Sequence, residues 1–380
     1  MNYSKAVLAV LALLLSSLAS PLASAQRPSP ADAMALEQQG KLAEAAAAWR
    51  SVVRNNPRDA AAMASLGLVL AREEKYEEAV PAYKKAIALN PKLPGVQLNL
   101  GLAEFKQGHF PAAIAPLQAA LAADPQSVQA QTLLGLTYYG ARRFEEAITY
   151  LQRAAKATPD NMELRQVLAE SCLSAKKYSC ALEELRQILE QDPNSAAAHV
   201  LAGEALDGLA RTPEAITEFQ AAAAASPQEP NVHFGLGYLH WKMRQYDEAK
   251  AEFQRELAYD PKHAQALAYL GDVEMKGNNL DNALALLEKA VAQRNDIRIA
   301  YLDIGTILAQ QGHPQEAIAA LQHAVTLDPS QPDAHLRLGR LYKATGDNAA
   351  AQKEFARLRE LHQKADDDIA SKMSGSSASH

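Results

Sequence analysis

The chain has 380 residues, 48% hydrophobic and 22% charged, which is enough for two or three domains or for one elongated array. That balance excludes a disordered chain, and 18 Gly with 19 Pro are too few for a collagen-like or Pro-rich one. A net charge of −6 argues against a general nucleic-acid binder, which needs a basic stripe for phosphate contacts.

In chain order, the first feature is an address. Lys5 precedes an apolar run from Ala6 to Leu15, and small residues then lead to Ala23-Ser24-Ala25. The pattern predicts a secretory signal peptide over residues 1–25, cleaved after Ala25, with an uncleaved anchor as the alternative. The run is too short for a spanning helix of about 20 residues, and no later stretch is long and apolar enough. The expected product is an exported chain, periplasmic or extracellular, that does not span the membrane after cleavage.

Beyond the signal, a period of 34 residues governs the chain. Pro recurs at Pro57, Pro91, Pro125, Pro159, Pro193, Pro227, Pro261 and Pro329, with Asn295 the one departure. Ala holds Ala45, Ala79, Ala113 and every later member of its series to Ala351, and Gly holds the series from Gly67 to Gly339 except at Ala169. A bulky series runs from Trp49 and Tyr83 through Leu117, Phe219 and Phe253 to Phe355.

Within one period, Met63, Leu66, Gly67 and Leu70 mark one face of a first helix, and Ala79, Tyr83, Ala86 and Ile87 one face of a second. Glu73-Glu74-Lys75 is the turn, and Pro91 ends the second helix. Gly67 and Ala79 allow close approach, and Tyr83 fills the space beside them. The repeats start at 26, 60, 94, 128, 162, 196, 230, 264, 298 and 332 and end at 365, and residues 366–380 are expected to be a fraying helix end and then a disordered tail. Pro28 and Pro30 shorten the first helix, and Pro81 and Pro116 fall inside second helices.

The Leu-Gly pair, the later Ala, the bulky residue four positions on and the closing Asp/Asn-Pro resemble the tetratricopeptide repeat, over residues 26–365. The resemblance implies an all-α fold, an α-solenoid of stacked antiparallel helix hairpins coiled into a superhelix, whose first helices line a concave groove. It also implies a non-enzymatic scaffold or adaptor without cofactor, binding a protein or extended peptide, in envelope assembly or secretion.

The family's groove positions fall here on Leu98, Asn99, Leu102 and Phe105, on Thr132, Leu136 and Tyr139, on Phe234, Tyr238 and Trp241, and on Tyr269 and Met275. Large apolar groups on such a face mark contact sites, with internal packing as the alternative. Phe234, Tyr238 and Trp241 also suit stacking on sugar rings, so a glycan-binding module for polysaccharide is the other function kept open. Glu163, Glu170, Glu204 and Asp207 make the middle of the groove acidic, and Arg337, Arg340 and Lys343 make its far end basic. The clamp by which some family members hold a peptide's C-terminal carboxylate is missing, because its positions read Ala64/Leu68, Leu98/Leu102 and Thr132/Leu136.

Cys172 and Cys180 sit on opposite arms of one hairpin, within reach of a disulfide, with two separate thiols as the alternative. His233 and His240 share a helix face, and His233 is expected to hydrogen-bond Glu256. A metal wants three or four converging ligands, and none is expected. No nucleophile elbow, metal-binding His pair or phosphate loop occurs, so no catalytic residue is assigned and the chain is not expected to be an enzyme.

Overall fold

The computed structural model describes residues 28–375, so the expected signal peptide lies outside the described residues. Twenty α-helices and no strand occur among the described residues. They fall into two compact units, residues up to Ser171 and from Cys172 onward.

The first unit contains α1 (Pro30–Gln38), α2 (Leu42–Asn55), α3 (Ala60–Arg72), α4 (Tyr76–Leu89), α5 (Val96–Lys106), α6 (Phe110–Ala123), α7 (Val128–Gly140) and α8 (Phe144–Ala157). α9 (Met162–Ser174) carries the unit boundary. The second unit continues with α10 (Tyr178–Gln191), α11 (Ala196–Gly208), α12 (Thr212–Ala225), α13 (Val232–Lys242), α14 (Tyr246–Tyr259) and α15 (Ala264–Lys276). It closes with α16 (Leu280–Gln293), α17 (Arg298–Gln310), α18 (Pro314–Leu327), α19 (Pro332–Ala344) and α20 (Asn348–Gly375).

Each odd helix from α1 to α7, and from α11 to α19, forms an antiparallel hairpin with the even helix after it, and hairpins stack in order within each unit. Shape at one position explains the close pairing: a Cβ on Gly67 would come within 2.7 Å of the Tyr83 ring. The bulky residue of each repeat fills the space left by its small partner, and Tyr83, Leu117, Leu151, Leu185, Phe253 and Leu287 are all fully buried. First helices also touch the next first helix, α3 to α5 to α7 in one unit and α11 through α19 in the other. Second helices make no comparable contact with one another among the described residues. The first helices therefore form the inner face of each unit.

Several first helices begin on a side-chain cap: Asp59 accepts from the Ala62 amide at 2.9 Å, Ser127 from Ala130 at 3.2 Å and Ser195 from Ala198 at 3.4 Å. α1 is short, as its prolines require, and a reciprocal Ser29–Asp32 box caps it. Pro81 and Pro116 lie inside α4 and α6, which continue through them. α20 extends to Gly375, so residues 366–375 continue the last helix. Residues 376–380 lie outside the described residues.

Candidate functional site

In the first unit the expected groove residues sit on α5 and α7. Leu98, Asn99, Leu102, Phe105, Thr132, Leu136 and Tyr139 are all half-buried. Phe105 packs edge-on against Phe110 at 5.6 Å, and Tyr139 meets Phe144 the same way at 6.1 Å. Leu98 lines a cavity of about 470 Å³ with Leu93, Pro94 and Ala119. The Tyr139 hydroxyl donates to Glu170 at 2.6 Å. That bond first, and burial second, push the phenol pKa up to about 12.

In the second unit, α13 and α15 bring Phe234, Tyr238, Trp241 and Tyr269 into one cluster. Tyr238 stacks on Phe234 at 6.2 Å and on Trp241 at 5.9 Å, and Tyr269 meets Trp241 edge-on at 4.9 Å. Phe234, Trp241 and Tyr269 also pack on the core around Phe253 and Leu270, and Tyr238 on the core around Phe219 and Leu236; all four are half-buried, so contact surface and packing coexist in them. A cavity of about 280 Å³ opens beside them, lined by Glu204, Asp207, Phe234, Tyr238 and Tyr269. Gln265 and Tyr269 border a second cavity of about 500 Å³, which Trp241, Met275 and Arg337 also line.

Much of the charge expected along the groove is paired within its own unit. Asp207 accepts from Lys242 at 2.5 Å, and Glu170 accepts from Gln166 at 3.0 Å as well as from Tyr139. At the other end Arg337 is half-buried and donates to Thr306, whereas Arg340 and Lys343 are exposed. Arg337 and Arg340 line an otherwise mostly apolar cavity of about 310 Å³ with Ala309 and Leu341.

Two expectations about single residues meet different outcomes. Cys172 and Cys180 are bonded, with their Cα atoms 5.8 Å apart. His233 does not pair with Glu256: its Nδ1 donates to Glu252 at 2.7 Å. Glu256 instead accepts from the Asn231 amide at 3.3 Å and the Phe234 amide at 3.0 Å, capping α13 where Asn231 itself offers no side-chain cap. The His–Glu pairing is periodic, for His199–Glu218 and His335–Glu354 bond at 2.6 Å in the same register. The sequence signal was present, in His and Glu nineteen residues apart in three repeats.

Sequence reasoning also passed over Asp303, which lies on the same inner face. It is buried, and it lines the same cavity of about 500 Å³ as Asp272. Among the described residues, no group of three or more His, Cys, Asp or Glu is arranged to hold a metal ion, and no helix is long and apolar enough to cross a membrane.

A family profile described as tetratricopeptide repeat matches residues 31–94, 98–161 and 234–297, and a second matches 138–205 and 308–374. No curated protein sequence matches the chain. Among solved structures, the chain is similar to one from the APC/C hetero-tetramer Cut9–Hcn1, at 14% identity and TM-score 0.48, covering 87% of this chain and 79% of that one. YrrB, described as having an unusual peptide-binding site, matches at 20% identity and TM-score 0.39, over 51% of this chain and 100% of its own. MamA from Desulfovibrio magneticus RS-1 matches at 24% identity and TM-score 0.39, over 43% of this chain and 92% of its own.

Proposed function

The chain belongs to the tetratricopeptide repeat family, and from that premise we propose that it is an exported, non-enzymatic scaffold holding an extended segment of a partner protein against its first helices. The observation that carries this reading is the half-buried ring cluster of Phe234, Tyr238, Trp241 and Tyr269 beside open cavities of about 280 and 500 Å³. Aromatic side chains next to a concavity are the usual anchors of an interface. Here they are held by two packed helices, so little ordering cost falls on binding. The export part of the proposal rests on the leader at residues 1–25, and work in envelope assembly or secretion is the setting it suggests.

The glycan alternative is less well supported. Sugar stacking needs open ring faces, and Tyr238 has Phe234 and Trp241 stacked upon it. Displayed libraries of extended peptides, selected on the purified chain, test the choice. Peptides selected on the wild type should lose roughly thirtyfold in affinity, about 2 kcal/mol, against Tyr238→Ala/Trp241→Ala. Equal affinity for both proteins would move the binding surface elsewhere. Envelope oligosaccharides binding the wild type in place of any peptide would favour the glycan reading. N-terminal sequencing of the secreted protein should begin at Gln26, and an intact Met1 would overturn processing at Ala25.

A further inference from the structure

The inner face of the second unit holds two carboxyl groups that peptide anchoring does not use. Asp272 on α15 and Asp303 on α17 are each only 2% exposed, and both border the cavity of about 500 Å³. Asp272 is fully engaged. Its Oδ2 accepts the Trp241 indole N–H at 2.5 Å, and its Oδ1 accepts from the Lys276 ammonium. Asp303 has no such cation, and its Oδ2 is buried without any hydrogen-bond donor.

The other charges around it have partners. Arg298 on α17 forks onto Asp333 of α19 at 2.8 and 2.9 Å, and Arg294 in the preceding turn onto Asp296 at 3.0 and 3.1 Å. Arg337 on α19 donates to Thr306. Two neighbouring carboxyl groups out of water resist ionising together, because desolvation and like charge act in the same direction. Asp272 has an indole N–H and an ammonium against it, whereas no donor reaches Asp303 Oδ2. Burial foremost, then the Asp272 charge, hold the Asp303 carboxyl well above the usual range, with Lys276 and Arg337 opposing.

We propose that protonated Asp303 is a positioning residue: by bonding to Asp272 it fixes the Trp241 ring in the groove, and so makes the aromatic anchor proton-linked. When the proton leaves for solvent, the Asp272–Asp303 contact turns repulsive, Asp272 draws away from the indole N–H, and Trp241 is released. The consequence for partner binding rests on the groove reading above. The device itself does not, and its test needs no partner.

The chain has 2 Trp, so a Trp49→Phe background leaves Trp241 as the only indole. Its emission and acrylamide quenching are followed from pH 6 to 9.5, with circular dichroism to separate unfolding from local release. With Asp303 present, a one-proton transition to at least twofold stronger quenching is expected. Asp303→Asn, whose amide donates to Asp272 at every pH, should stay at the low-pH value throughout. A flat profile with Asp303 present, or the same transition in both proteins, overturns the proposal. Should Asp303→Asn not fold, Asp272→Asn serves: with no second carboxylate to repel, the quenching transition should vanish, and an unchanged transition overturns the proposal. Peptide selection that fails while this transition appears would count against the groove reading and leave the Asp303 assignment standing.

Discussion

Tyr83 carries a cost inside a well-filled space. Its ring is fully buried against Gly67, yet its hydroxyl has no hydrogen-bond partner, and burial raises its pKa. An unsatisfied buried hydroxyl destabilises a fold by about 1 kcal/mol or more, so Tyr83→Phe should raise stability by about 1 kcal/mol in urea unfolding. A loss of stability would mean that the hydroxyl has a partner in solution. Asp303 gives a pH-dependent counterpart. Its folded pKa lies above the unfolded one, so between the two values the native state binds more protons than the unfolded state. Its contribution is complete below the ordinary carboxylate range and is lost as pH rises toward the folded value. Asp303→Asn should therefore lose less stability than the wild type as pH rises from about 4 to about 8. A stability difference that does not change with pH would contradict that linkage. Sequence alone offered little here: Asp272 and Asp303 are 31 positions apart, and only the packing of α15 on α17 makes them one group.

At the scale of the element, the hairpin turn repeats a backbone conformation more faithfully than a residue type. Gly40, Glu74, Gly108, Arg142, Lys176, Ala210, Arg244, Asn278, Gly312 and Gly346 all have positive φ, between 57° and 88°, one in every hairpin. The amide after each such residue bonds back into the first helix, as Lys75 does to the Leu70 carbonyl at 2.9 Å, which is the Schellman stop. A left-handed non-Gly residue costs about 1 kcal/mol, partly offset by the greater entropy of unfolded Gly. Ala210→Gly should thus stabilise by about 0.5 kcal/mol, and Gly312→Ala should destabilise by about 1 kcal/mol, both read as shifts in denaturation midpoint. Unchanged midpoints in both variants would show that these turns relax on substitution. On the hairpin of α9 and α10, the Cys172–Cys180 bond closes a loop of sequence separation 8. Loop-closure entropy assigns it about 2–3 kcal/mol, so dithiothreitol should lower the midpoint of the wild type and leave Cys172→Ala/Cys180→Ala unmoved.

For the whole molecule, contacts run mainly between neighbouring helices, so stability is close to a sum of repeats and their interfaces. Phe253 is fully buried, and Phe253→Ala should cost about 3–5 kcal/mol. The damage should be local: faster amide exchange in the hairpins built on α13–α14 and α15–α16, with α18–α20 less affected. Exchange that rises equally throughout the second unit would instead point to one cooperative block.

The repeat, the hairpins and the helix ends were legible in the chain, because Pro, Ala, Gly and the bulky series each answer a local steric demand that returns every 34 residues. The inner face was legible as a set of positions, since helical periodicity assigns residues to faces. Partners on that face were not. The exchange of Glu256 for Glu252 beside His233 turned on which of two acids four residues apart, on the same helix, reaches the imidazole. The bonding of Trp241 to Asp272, and the placing of Asp272 and Asp303 on one cavity, depend on how one hairpin sits on the next. Sequence alone determined where each residue lies in its repeat; tertiary structure decided which side chains meet, because pairing between repeats is set by the packing distance between helices and not by spacing along the chain.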